Sequence, residues 1–217
     1  MDLLSFARGP ALQWSMTILA FGMAWRLTGI LLKPQRRDLS EPRVASAWRG
    51  AWQMIARRMW PKREFAVGSA MSTTLGYLFH VGLFVVFFLA APHVLFVEDL
   101  LGISWPHLPN TVVTVAGAVT LAALLAMLVL RVASPVKRLL SNLDDYFSWF
   151  VTVAPVATGL AATAHVGGRY EDLLAWHILS AELLIAWLPF GKLMHAFLVF
   201  ASRGATGYAF ARKGASI

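Results

Sequence analysis

Residues 172–203, DLLAWHILSAELLIAWLPFGKLMHAFLVFASR, are apolar and long enough to cross a membrane, yet they carry His177 and His195 with Glu182 and Lys192 between them. The two histidines are 18 positions apart, about five turns at roughly 3.6 residues per turn, so a single straight helix projects both imidazoles from one face, near its opposite ends. Ionisable side chains inside a spanning helix are costly to bury in hydrocarbon and mark a functional site. Two histidines on one bundle helix suit the holding of a metal or a metal-bearing cofactor.

Composition sets the class around this segment. Of the 217 residues, 58% are hydrophobic and 14% charged, and the mean hydropathy is +0.63, well beyond the apolar share of a soluble domain. The expectation is an all-α integral membrane bundle forming one domain over residues 1–217. Cysteine is absent, which removes disulfides, thiolate-held iron–sulfur clusters and covalent haem attachment from this chain. Any such cluster belongs to a partner. The net charge of +8 does not call for nucleic acid, because cytoplasmic loops of membrane proteins concentrate Lys and Arg.

In chain order, residues 12–32 read as a first span rather than a signal peptide, since the run is too long for such a core and lacks a basic leader. Arg26 within it reads as snorkelling to the nearer interface. Residues 33–73 hold nine of the nineteen basic residues, which makes this loop cytoplasmic by the positive-inside rule. Within it, Val44, Trp48, Trp52, Ile55 and Met59 recur at three- and four-residue spacing, the pattern of an amphipathic helix. Two readings fit that helix: one resting on anionic lipid headgroups, or a docking surface for a cytoplasmic partner.

Further spans are expected near residues 74–96, 111–130, 146–164 and 172–203. The external segments hold few basic residues and the loop after residue 130 carries Arg131, Lys137 and Arg138. Five transmembrane helices with the N-terminus outside and the C-terminus cytoplasmic satisfy that asymmetry.

Depth then pairs the histidines. His80 and His195 fall near the cytoplasmic ends of the second and fifth spans, and His93 and His177 near their outer ends. Bis-histidine ligation of two stacked b haems explains one histidine per helix at two levels. The plainer reading is that each histidine hydrogen-bonds to a neighbouring helix, giving a haem-free scaffold or small transporter subunit with structural or proton-relay histidines. A bare zinc-like site is disfavoured, because no second ligand lies one turn from any of them.

The pieces Leu78-Phe79-His80-Val81-Gly82 and Leu188-Pro189-Phe190-Gly191-Lys192-Leu193-Met194-His195, with His177 18 positions earlier, resemble the dihaem cytochrome b (gamma) subunit of respiratory nitrate reductase. They also resemble related membrane subunits of sulfur-metabolism and heterodisulfide-reductase-type complexes. The resemblance covers residues 12–202. It implies a haem b-containing anchor subunit in the plasma membrane of a prokaryote. Such a subunit passes electrons between the quinone pool and a cytoplasmic iron–sulfur subunit of a respiratory oxidoreductase.

Carried over residue by residue, His80 and His195 match the two ligands of the haem nearer the cytoplasm, and His177 matches one ligand of the outer haem. The other outer ligand would lie ten positions after His80, where this chain has Ala90. Alanine cannot ligate iron. Either His93, three residues on, replaces it, with His107 and His165 as lesser candidates, or the outer haem is absent or differently held. Pro92 precedes His93 and disturbs the helix, so a helical wheel does not fix the direction of that side chain.

Lys192, one turn before His195, is expected either to meet a haem propionate or to snorkel to the headgroups. Gly76 and Gly82 around His80 suit either close approach of a macrocycle or helix contact. Glu182, Glu98, Asp99 and Arg169 are the polar groups available to a quinol proton. The basic loop and the tail GATGYAFARKGASI are the expected contact surfaces for the partner.

Overall fold

The computed structural model describes residues 2–34 and 39–215, so Arg36 and Arg37 of the basic loop and the last two residues of the tail lie outside the described residues. Every regular element among them is helical. A first turn, α1 (Leu3–Phe6), runs through a π-helical segment Ala7–Ala11 that contains Pro10 into α2 (Leu12–Leu31). There follow α3 (Trp48–Arg57), α4 (Arg63–Leu89), α5 (Ala91–Leu101), α6 (Asn110–Ala133), α7 (Pro135–Leu140), α8 (Leu143–Ala164) and α9 (Tyr170–Trp187). A 3-10 turn, Lys192–Met194, leads into α10 (His195–Arg212).

The packed centre is α6 against α8. Gly117, Thr120 and Leu124 are buried on α6, and Ser148, Val151, Thr152 and Val156 on α8, a three- and four-residue spacing that marks one helix face. Thr120 and Thr152 donate their hydroxyls to the carbonyls of Ala116 and Ser148, which satisfies both buried polar groups within their own helices. Contacts then pass outward: α4 lies on α6, α9 on α8, and α2 with its π segment on α9. At Gly82 a Cβ would collide with the Thr120 side chain, so this glycine serves helix contact.

Helices α4, α6 and α8 are long and apolar enough to cross a membrane, and α9 with residues 192–212 counts as a fourth such element if the bent pair is one span. These lengths and compositions are those of a multi-pass membrane protein. Only 6% of the most apolar window of α4 is buried, and Phe84, Phe87, Val115 and Val129 stand exposed. Apolar surface of that extent needs a cover other than water. Helix α2 falls short of the same apolarity; Gln13 and Arg26 dilute it.

Two expectations about straight spans are overturned. The helix expected from residue 172 to 203 stops at Trp187, and the axis turns by 80° before α10. Pro189 accounts for the stop, since it lacks an N–H and its ring clashes with the carbonyl four residues back. His195 therefore opens a new helix, and no common face with His177 exists.

The second span likewise begins at Arg63, inside the expected loop, and breaks at Ala90, whose backbone is extended (φ −76°, ψ 129°). Pro92 lies in the first turn of α5, where its missing N–H costs nothing. The last four carbonyls of a helix lack intrahelical donors, and here each finds one. His93 Nδ1 donates to Val86 (2.9 Å) and Phe87 (3.2 Å), the Trp105 indole to Phe88 and the Leu108 N–H to Leu89. Gly102 then ends α5 at φ +69°, the left-handed cap that glycine adopts without a Cβ penalty.

The amphipathic helix forms as α3, but its packed face is the small one. Gly50, Ala51 and Met54 are buried, while Trp48 and Trp52 remain exposed. The partner is α10, part of the same chain, so half of the tail expected to meet another subunit is already in use. A Cβ on Gly207 would run into the Gly50 carbonyl and the Met54 side chain, and close backbone approach makes this face unlike a Trp stripe. Gly207→Ala is expected to push α10 off α3 and cost about 1–3 kcal/mol, seen as a lower melting temperature in detergent; an unchanged melting temperature would contradict this packing.

Candidate functional site

No contact comparable to those above joins α4 to α9 among the described residues. What reaches across between the two sides is histidine. His80 on α4 and His195 at the start of α10 have ring centroids 6.2 Å apart, with planes at 75°. His93 on α5 and His177 on α9 have centroids 5.9 Å apart, with planes at 9°. A metal–imidazole bond is about 2 Å, so two rings facing across one metal ion hold their centroids roughly 6 Å apart once ring size is added. Both pairs have that spacing.

Each ring is held the same way. Nδ1 of His80 donates to the Gly76 carbonyl at 2.7 Å, that of His195 to Lys192 at 2.8 Å, that of His177 to Pro155 at 3.0 Å, and that of His93 to Val86 and Phe87. A carbonyl only accepts, so the proton sits on Nδ1 and Nε2 keeps its lone pair. Backbone carbonyls fixing the tautomer through the far nitrogen are the usual outer support of a metal-ligating histidine. Among the described residues no three His, Asp or Glu side chains gather as a group able to hold a bare metal ion. The histidines come together as two separate pairs.

Local structure explains the aim of each ring. The break at Ala90 turns His93 back over the freed carbonyls of α4 and toward His177. The His177 ring lies on α8, where a Cβ on Gly159 would stand 3.0 Å from Cε1 of the imidazole. His195 is set by the loop before it. The Asp144 carboxylate accepts from the Lys192 N–H at 3.0 Å and from the Ser148 hydroxyl at 2.7 Å, and Ser148 in turn accepts from the Trp187 indole.

Asp145 caps α8 reciprocally with Asn142, and its carboxylate binds Arg131 at 3.3 Å and the Lys192 ammonium. Lys192, expected either at a propionate or snorkelling to the headgroups, is engaged there. Asp144 and Asp145 escaped the sequence reading, although Asn142-Leu143-Asp144-Asp145 after a basic loop is a recognisable helix start.

Of the lesser histidines, His165 caps α8 in the left-handed conformation and stacks on Tyr170 at 5.2 Å, and His107 lies in the loop before α6. Neither meets His177 in the way His93 does. Glu182 is buried with both oxygens unpartnered among the described residues. It lies five residues after His177 on α9, about 140° around the helix from it. Glu98, Asp99 and Arg169 are exposed, and Arg169 is ion-paired with Glu171 at 3.7 Å.

Asp145→Asn removes two ionic partners from one half-buried carboxylate. The expected cost is about 1–3 kcal/mol, with faster protease cleavage across residues 188–194, measured by thermal denaturation and limited digestion. Unaltered digestion would mean that the clamp does not hold the loop.

No family model matches the chain, and no solved structure matches it. A protein of Nitratidesulfovibrio vulgaris (strain Hildenborough), whose name is simply "Protein", is 31% identical over 220 aligned positions, which take in 98% of this chain and 96% of that relative. At that identity over nearly the whole of both chains, the protein belongs to the same family as this Nitratidesulfovibrio relative.

Proposed function

We propose that the chain is a haem b membrane subunit that carries electrons between the quinone pool and a cytoplasmic iron–sulfur subunit of a respiratory oxidoreductase. The observation that carries this reading is the duplicated pair: two sets of imidazoles with ring centroids 6.2 and 5.9 Å apart, each ring with Nδ1 tied to a backbone carbonyl. The inner group is held by His80 and His195, the outer by His177 and His93. His93 thus stands in for the ligand that Ala90 cannot supply.

Bound haem supplies one-electron transfer at two levels of the membrane. The chain's own contribution is to orient four imidazoles, to fix their tautomers and to surround them with apolar helices. In the membrane topology that goes with this reading, α2 is the first of five spans, the N-terminus is outside, and the basic residues 33–63 and the C-terminus face the cytoplasm of a prokaryotic cell. Because the chain has no cysteine, the clusters that accept or donate the electrons belong to the partner subunit. The terminal substrate and the direction of flow belong to that complex.

Purified protein is expected to show a reduced-minus-oxidised b-type band with about two haems per chain. His80→Ala or His195→Ala removes one haem, and His93→Ala or His177→Ala removes the other. A colourless, well-folded preparation would sink the reading, and two haems persisting in His93→Ala would exclude that residue as a ligand.

A further inference from the structure

Glu182 is the one buried carboxyl group among the described residues, 5% exposed, and neither of its oxygens has a hydrogen-bond partner there. An ionised carboxylate left unpaired in an apolar interior is costly, whereas a neutral acid costs far less. The histidine pairs do not use it.

The contacts of α9 show which way Glu182 points. His177 donates to the Pro155 carbonyl at 3.0 Å, Ser180 meets the Thr158 hydroxyl at 3.0 Å, and the Trp187 indole donates to Ser148. That face belongs to α8. Glu182, two residues after Ser180 and five before Trp187, stands roughly 200° and 140° around the helix from them, on the other side. There α9 is covered by α2 and by the two short segments that lead into it. The residues that α2 buries are Ser15 and Gly22. Ser15 gives its proton to the Leu12 carbonyl and keeps lone pairs, so the seam between α2 and α9 offers the carboxyl little besides one hydroxyl oxygen.

No charge in the surrounding elements answers Glu182. Asp2 caps α1 through the Ser5 N–H, and Arg8 and Arg26, on the π segment and α2, are exposed. On α8 the ionisable groups are Asp144, Asp145 and Tyr146, and both aspartates are engaged with the loop that carries Lys192. On α9 itself, Tyr170, Glu171 and Asp172 occupy the first turn. None of these forms an ion pair with Glu182. His177, by contrast, is five residues away on the same helix, about 7.5 Å along the axis, and a change of charge at that level is poorly screened in an apolar interior.

We propose that Glu182 is a proton-binding site linked to the outer histidine pair, a neutral acid that gives up its proton when the group held by His93 and His177 loses an electron. The proposal rests on the haem reading above and adds to it a proton site within the membrane. Reduction brings one electron from the quinol and one proton from water to the Glu182 carboxylate, forming one O–H bond. Oxidation reverses both, so charge and atoms balance.

The test is redox-induced infrared difference spectroscopy of the purified full-length protein, joined to redox titration at several pH values. Reduction is expected to raise a carbonyl-stretch band of a protonated carboxyl that shifts in D2O and is absent in E182Q. One of the two midpoint potentials depends on pH in the native protein and loses much of that dependence in E182Q. The amide is isosteric with the neutral acid, so E182Q is expected to keep its melting temperature and both haems. Should it lose either, E182D, which retains the acid, is read instead: a shifted band in E182D supports the proposal, and an unshifted one overturns it. A band that survives in E182Q belongs to another carboxyl and overturns the proposal, as does a haem-loaded native protein with no such band. A native protein without haem fails the preceding reading before any variant is made.

Discussion

A hydrogen bond from an imidazole Nδ1 to a backbone carbonyl recurs at each of the four paired histidines, and the site depends on it. It settles two matters together. It leaves the lone pair on Nε2, and it ties the ring to the backbone of a helix rather than to a mobile side chain. For His80 and His195 the acceptor is one turn back, at Gly76 and Lys192. For His177 it is Pro155, on a different helix. For His93 it is the end of α4. Where the ring is part-buried, as at His177 and His93, such a bond is not readily exchanged for water.

The two prolines that interrupt the helices explain how a histidine at an unpromising sequence position comes to face its partner. Pro92 sits just past the break at Ala90, and Pro189 within the break after Trp187. Each break would leave carbonyls bare in hydrocarbon, which is tolerated only where donors are provided. At the Ala90 break the donors are the His93 ring, the Trp105 indole and the Leu108 N–H. At the break after Trp187, Asp144 and Asp145 accept from the loop, and their charge is met by Lys192 and Arg131.

The sequence carried the helical class, the apolar spans and the pairing of His80 with His195. It also singled out His93, though not its direction. What it could not convey was geometry at the breaks. A spacing of 18 residues translates into a shared face only along an unbroken helix, and the axis here turns by 80°. The clamp at Asp144 and Asp145 was missed because its partners lie 47 and 48 residues away. On α3, periodicity found the helix and its apolar stripe, whose Trp48 and Trp52 stay exposed; what it did not show was the second contact, in which Gly50, Ala51 and Met54 pack on α10.

The distribution of charge follows from the same constraint. Lys192 and Arg131 share Asp145, so they hold the chain together and have little left for a ligand. Arg58 and Lys62 lie on a linker pinned through Met59 to α4 and α10. The exposed apolar flank of α4 follows from the apolar setting, because a helix 6% buried along its most apolar window needs a cover other than water.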